Sequence, residues 1–233
     1  MASRAKLILY TNLGCPWAHR AHIALMELDI PFEQVLIDLE VPRSPEYLKI
    51  NPSGQVPALV YDGEIVRDSG TISQFLADAW PSHLVRPSGS LEGAFHRARI
   101  TAFVDAYLSK FQGQVMKALV ARTQTETNHA IEGALLDLGK WVEPLLHDSK
   151  PFFGGSEKLT LAEVLTASFV IRTYCFSRHG VLPENLPTLL SEKTPKFAKW
   201  AEAVMQHPSV ASTFDEAIVV QGVNKMRAKY RSL

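Results

Sequence analysis

The spacing of apolar residues divides this chain into two unlike stretches. Over the first eighty positions the apolar runs are short and broken by turn residues, whereas beyond about residue 90 they recur at helical spacing. Lys6-Leu7-Ile8-Leu9-Tyr10 predicts a short buried strand, and Trp17, Ala21, Ala24, Leu25 and Leu28 predict a helix behind it. Phe32 to Ile37 alternates as a second strand, completing a βαβ unit too short for a dinucleotide site, and no Gly-rich phosphate loop accompanies it. Gln55 to Tyr61 and Glu64 to Val66 flank Asp62-Gly63, the pair that a two-residue type I′ turn requires, so an antiparallel hairpin follows the parallel strands. Asp68-Ser69-Gly70-Thr71 then opens a helix with the apolar stripe Ile72, Phe75, Leu76 and Ala79.

Trp80 to Ser90, rich in Pro, Ser and Gly, reads as a linker at 81–90 between a first domain at 1–80 and a second at 91–233. The second domain reads as all helical, with helices over about 91–121, 127–148, 160–176 and 195–206 and loops at 150–155 and 180–195. At 233 residues the chain buries roughly three quarters of its unfolded surface. Its 24 basic and 24 acidic residues give no electrostatic case for nucleic acid or an anionic membrane. Leu7-Ile8-Leu9-Tyr10 is too short for a signal peptide, no apolar stretch is of membrane-spanning length, and two cysteines make no disulfide framework, so a cytoplasmic location is the expectation.

Cys15 is the candidate for chemistry. It falls at the N-cap of the first predicted helix, with Pro16 at the first helical position, where unpaired amides and the helix dipole favour a thiolate. The competing reading is a small apolar filler at a strand end. Position 18 is Ala18, so no second cysteine two residues on resolves a disulfide, and Cys175, between Tyr174 and Phe176, reads as core. A small-molecule thiol, glutathione in the cytosol, is then needed to resolve a mixed disulfide. The first eighty residues thus read as a thioredoxin-like α/β domain. Pro57 inside an apolar strand marks an edge, a bulge, or a cis Val56–Pro57 bond that sets the Val56 backbone where an extended peptide pairs with it. Asp68 or Ser69 caps the next helix, and the same amides suit a ligand carboxylate while Asp68 suits an ammonium.

Cys15-Pro16-Trp17-Ala18-His19-Arg20, the strand Gln55-Val56-Pro57 and the acidic-Ser pair Asp68-Ser69 resemble the N-terminal domain of cytosolic glutathione transferases of the cysteine type, the omega-like enzymes and glutathionyl-hydroquinone reductases. Leu159-Thr160-Leu161-Ala162-Glu163 is similar to the capping box and staple that start a central helix of that family's second domain. The resemblance implies a thioredoxin-like domain plus an all-α domain, glutathione as co-substrate, and a homodimer. It assigns Cys15 as nucleophile and Gln55, Val56, Pro57, Asp68 and Ser69 to glutathione. Asp68 is one methylene shorter than the family's glutamate, and Ser44 stands where omega-like proteins carry a lysine for the glycine carboxylate, leaving Arg43 or Lys49 as substitutes.

An electrophile pocket is expected between the domains, with Leu13, Trp17, Tyr107, Phe111, Tyr174 and Phe176 as candidate walls. His19, His22 and the other histidines show no metal-ligand spacing with a second ligand class, so no metal is expected. Tyr10 reads as packing at the strand end. The leading function is a glutathione-dependent thiol transferase acting on a small hydrophobic or electrophilic co-substrate. A glutathione-dependent cis–trans isomerase or conjugating enzyme for an unsaturated small molecule is the second reading, and a non-catalytic scaffold the third.

Overall fold

The computed structural model describes residues 6–231. Strands β1 (Leu7–Thr11), β2 (Glu33–Leu36), β3 (Ala58–Tyr61) and β4 (Glu64–Arg67) form one sheet in the order β2-β1-β3-β4. β2 runs parallel to β1, while β3 is antiparallel to both β1 and β4. Asp62 and Gly63 both adopt positive φ, 48° and 90°, which is the backbone that makes a two-residue turn follow the twist of its strands. Helices α1 (Pro16–Glu27), α2 (Pro45–Ile50) and α3 (Ser69–Ala79) complete this layer.

The remaining helices are α4 (Leu91–Ala106), α5 (Gly113–Val120), α6 (Gln124–Asp137), α7 (Leu161–Arg178), α8 (Leu186–Lys193), α9 (Pro195–Gln206), α10 (Pro208–Ala211) and α11 (Glu216–Arg231). The expected helix over 91–121 is one rod interrupted by a π-helical turn at Tyr107–Gln112, and that over 127–148 starts earlier and ends in π and 3-10 turns. The stretch 180–195, expected as loop, contains α8. Pro187 sits in its first turn, where a missing N–H is harmless, and Leu186 and Leu190 bury one face.

α1 is buried on nearly every side because α3, α7 and α10 pack around it. It carries His19, Arg20 and His22 into the interior, so polar chemistry is built into the contact between layers. Glu163, fully buried at the start of α7, accepts from the Thr160 and Phe153 amides at 2.8 Å and from Trp200 Nε1 at 2.7 Å. These bonds oppose burial, which pushes its pKa up. Among the described residues no helix is long and apolar enough to cross a membrane.

Candidate active site

Cys15 closes a turn that leaves β1. Its amide donates to the Asn12 carbonyl at 3.1 Å, and Asn12 Oδ1 accepts from Gly14 N at 3.0 Å. Cys15 has extended backbone (φ −78°, ψ 120°), Pro16 begins the helix, and the thiol makes no capping bond. It is therefore half-buried at a helix start with its sulfur uncommitted.

Two cavities meet at this residue. One, of about 810 Å³, is lined by Cys15, Asn51, Ser53, Gln55, Val56, Pro57, Arg67, Asp68 and Ser69, largely turns and strand ends. The Val56–Pro57 bond is cis. Asp68 has φ of 69° and caps α3 through Oδ1, which accepts from Gly70 N at 2.9 Å and Thr71 N at 3.1 Å. Oδ2 has no donor among the described residues. Ser69 is buried beside it and accepts from Arg20 Nη1 at 3.3 Å.

The other cavity, of about 570 Å³, runs from Cys15 and Trp17 into the helical layer. Its walls are Val115, Met116 and Leu119 of α5, Phe169, Thr173 and Phe176 of α7, and Ile218, Val219, Val223 and Met226 of α11. Arg172 lines it too. That side chain is buried, donates to His19 Nδ1 at 2.8 Å and to the Ser168 carbonyl at 2.9 Å, and leaves Nε unpartnered. Burial lowers its pKa to about 10, partly offset by the Cys15 and Cys175 thiols, so it remains a cation at neutral pH.

Because Arg172 can only donate, His19 accepts at Nδ1 and carries its proton on Nε2, which donates to Thr213 Oγ1 at 2.8 Å. Burial, then the Arg172 charge, holds the His19 pKa well below its ordinary value. His22 is bonded to Thr11 Oγ1 at 2.9 Å, and burial lowers its pKa to about 4. Arg20 lies between the Trp17 ring at 4.5 Å and the Phe169 ring at 5.0 Å. Those faces favour a cation by about 0.5–2 kcal/mol each.

The expected walls divide. Trp17 and Phe176 reach the apolar cavity, but Leu13 and Tyr174 do not line it, and Tyr107 and Phe111 are fully buried against Phe103 and Phe197. Large rings gain most by packing against one another, leaving aliphatic residues of α5 and α11 as walls. Arg43 lines the polar cavity, yet its guanidinium is taken up by carbonyls of Asp38, Leu39, Val41 and Gly54. Lys49 is exposed and lies outside the cavity, while Arg67, missed in the sequence, borders it with Nε on the Ile50 carbonyl at 2.7 Å. Tyr10 packs on Tyr47 with ring centroids 5.6 Å apart. One ligand-type cluster departs from the expectation of no such spacing: Cys175, His179 and Glu216 converge at the end of α7.

A four-stranded mixed sheet with its helices, followed by a layer made of helices alone, defines a thioredoxin-like layer joined to an all-α one. A family model described as "Glutathione S-transferase, N-terminal domain" matches residues 14–79. Glutathione S-transferase U8 of Arabidopsis thaliana is 29% identical over 194 residues, 81% of this chain and 80% of that protein. Among solved structures, rice GST1 in complex with glutathione has a TM-score of 0.82 at 26% identity, covering 98% of this chain and 99% of that one. Glutathione transferase Omega 1C of Trametes versicolor has a TM-score of 0.79 at 25% identity, covering 97% and 98%. The chain belongs to the cytosolic glutathione S-transferase superfamily.

Proposed function

We propose that the chain is a glutathione-dependent transferase of the cysteine type, with Cys15 as nucleophile. The observation that carries this reading is the position of Cys15 at the meeting point of a polar and an apolar cavity. Glutathione occupies the polar one. The main chain of Val56 pairs with its backbone, Asp68 Oδ2 takes the ammonium, and Ser69, through its hydroxyl and its amide at the start of α3, takes the γ-glutamyl carboxylate. Arg67 borders the cavity and is the cation available to the glycine carboxylate.

The co-substrate lies against Trp17, Phe169 and Phe176 in the apolar cavity. In thiol transfer, the Cys15 thiolate attacks the glutathionyl sulfur of a mixed disulfide, forms a bond to it and expels the partner thiolate. A second glutathione thiolate then attacks that glutathionyl sulfur, releasing oxidised glutathione and restoring the Cys15 thiolate.

Arg172 favours a second reaction in the same place. A buried guanidinium on an apolar wall stabilises negative charge developing on an electrophile oxygen, as in glutathione addition to a conjugated carbonyl, the first step of cis–trans isomerisation. Cys15→Ser separates the two. Thiol transfer is expected to fall by several orders of magnitude while addition survives, since a serine hydroxyl still donates to the glutathione thiolate. Steady-state kinetics on both substrate types, with thermal melting as a folding control, check this. A folded mutant with full thiol-transfer activity would overturn the assignment of Cys15.

A further inference from the structure

The last turn of α7 and the first turn of α11 bring a thiol, an imidazole and a carboxylate together, apart from the cluster around Cys15. Cys175 and His179 stand four residues apart, one helical turn, and so share a face of α7. Glu216 arrives from the first turn of α11. The ligand atoms of the three residues all lie within 4.8 Å of one another. His179 Nε2 meets Glu216 Oε1 at 2.7 Å, and Arg178 Nη2 holds the other oxygen, Oε2, at 2.8 Å. A surface ion-pair anchor explains Arg178 and Glu216, but not a fully buried thiol directly beside their carboxylate; burial, and then that carboxylate, push the Cys175 pKa up to about 11.

We propose that Cys175, His179 and Glu216 form a three-ligand site for a thiophilic divalent cation of the Zn²⁺ type, with water at the fourth position, that fastens α11 to α7. Sulfur, imidazole nitrogen and carboxylate oxygen form the mixed donor set that selects zinc over hard cations. Tetrahedral bonds of the usual lengths place such donors about 3.4–3.6 Å apart, so side-chain movements of about an ångström convert the observed cluster into a coordination shell.

The proton and charge balance is simple. Cys175 releases its thiol proton to solvent and bonds through sulfur, and His179 moves its proton to Nδ1 and gives the Nε2 lone pair. Glu216 bonds through Oε1, and the ion sheds all but one of its waters. Thiolate and carboxylate balance the two positive charges, and Arg178 stays on Oε2 as the outer partner that orients the carboxylate. Because Phe176, Ile218, Val219 and Val223 of the same two helices wall the apolar cavity, the ion would fix the shape of that wall. This site stands whether or not the reading of Cys15 holds.

Cobalt is the probe, titrated into the reduced full-length chain. One equivalent is expected to give a sulfur-to-cobalt charge-transfer band with the strong visible absorption of four-coordinate cobalt, and zinc is expected to displace it. Cys175→Ser and Cys175→Ala are expected to abolish the band, and Cys15→Ser to leave it unchanged. His179→Ala, at an exposed position that tolerates truncation, is expected to weaken cobalt binding about tenfold or more, the scale on which even outer-shell partners act. Zinc is expected to slow hydrogen exchange in α11. The proposal is overturned by a band that survives Cys175 replacement or vanishes with Cys15→Ser, by unchanged affinity in His179→Ala, or by no thiolate band with cobalt in excess.

Discussion

The two cavities that meet at Cys15 are built by opposite means. The polar one is made of short-range structure: the Asn51–Pro57 loop with its cis bond, and the start of α3 where Asp68 caps its own helix. The apolar one is made of side chains from helices as distant in the chain as α1, α5, α7 and α11. A site made of turns and caps is fixed within a few residues. A site made of helix faces depends on every contact that sets helix position and rotation, so it diverges readily in sequence while the fold persists.

Acid tests the element shared by both cavities. α1 holds His22 neutral, with a folded pKa of about 4 against an ordinary value near 6.5. Because the folded value is the lower one, stability is full above pH 6.5 and is lost as pH falls from 6.5 to 4, by up to about 3 kcal/mol from this residue. Urea unfolding at pH 7.5 and pH 4.5, with His22→Gln showing a shallower loss, checks it.

Asp68→Asn sharpens the contrast, because asparagine has the shape of aspartate and its carbonyl oxygen still caps α3 from the same backbone (φ 69°, ψ 134°) while the charge is lost. Glutathione binding is expected to weaken by about 1.5–3 kcal/mol, the scale of a charge-assisted hydrogen bond. Calorimetry reads that loss, and the KM of the apolar co-substrate is expected to stay constant. Phe176→Ala is the reciprocal test. The co-substrate KM is expected to rise about tenfold, close to 1.4 kcal/mol, with glutathione affinity unchanged. If either substitution moved both affinities equally, the two cavities would be one site.

The same division explains what was legible in the sequence. The Asp62-Gly63 turn, the cap at Asp68, Pro16 behind Cys15 and the Thr160-Glu163 box are local signals, and each appears in the structure where the residues announce it. The walls of the apolar cavity carry no comparable mark. Ring size points to Tyr107 and Phe111, yet that size is what draws them into the core, while Val115, Leu119 and Val223 look like any helix stripe. Arg172 offered a signal: a charged residue inside the apolar run from Ala167 to Phe176 must be bonded where it is buried. The Cys175–His179 spacing offered another, whose third partner, 37 residues beyond His179, only the fold brings near.

The π-helical turn at Tyr107–Gln112 works as a rotation device. It accommodates one more residue than an α-turn, and each residue of an α-helix advances the face by about 100° while adding only about 1.5 Å of length. Deleting a single residue there would leave α5 almost the same height but swing its side chains by more than a quarter turn. Val115, Met116 and Leu119 would leave the cavity, and the specificity of the enzyme would change through helix phase without any wall residue being substituted.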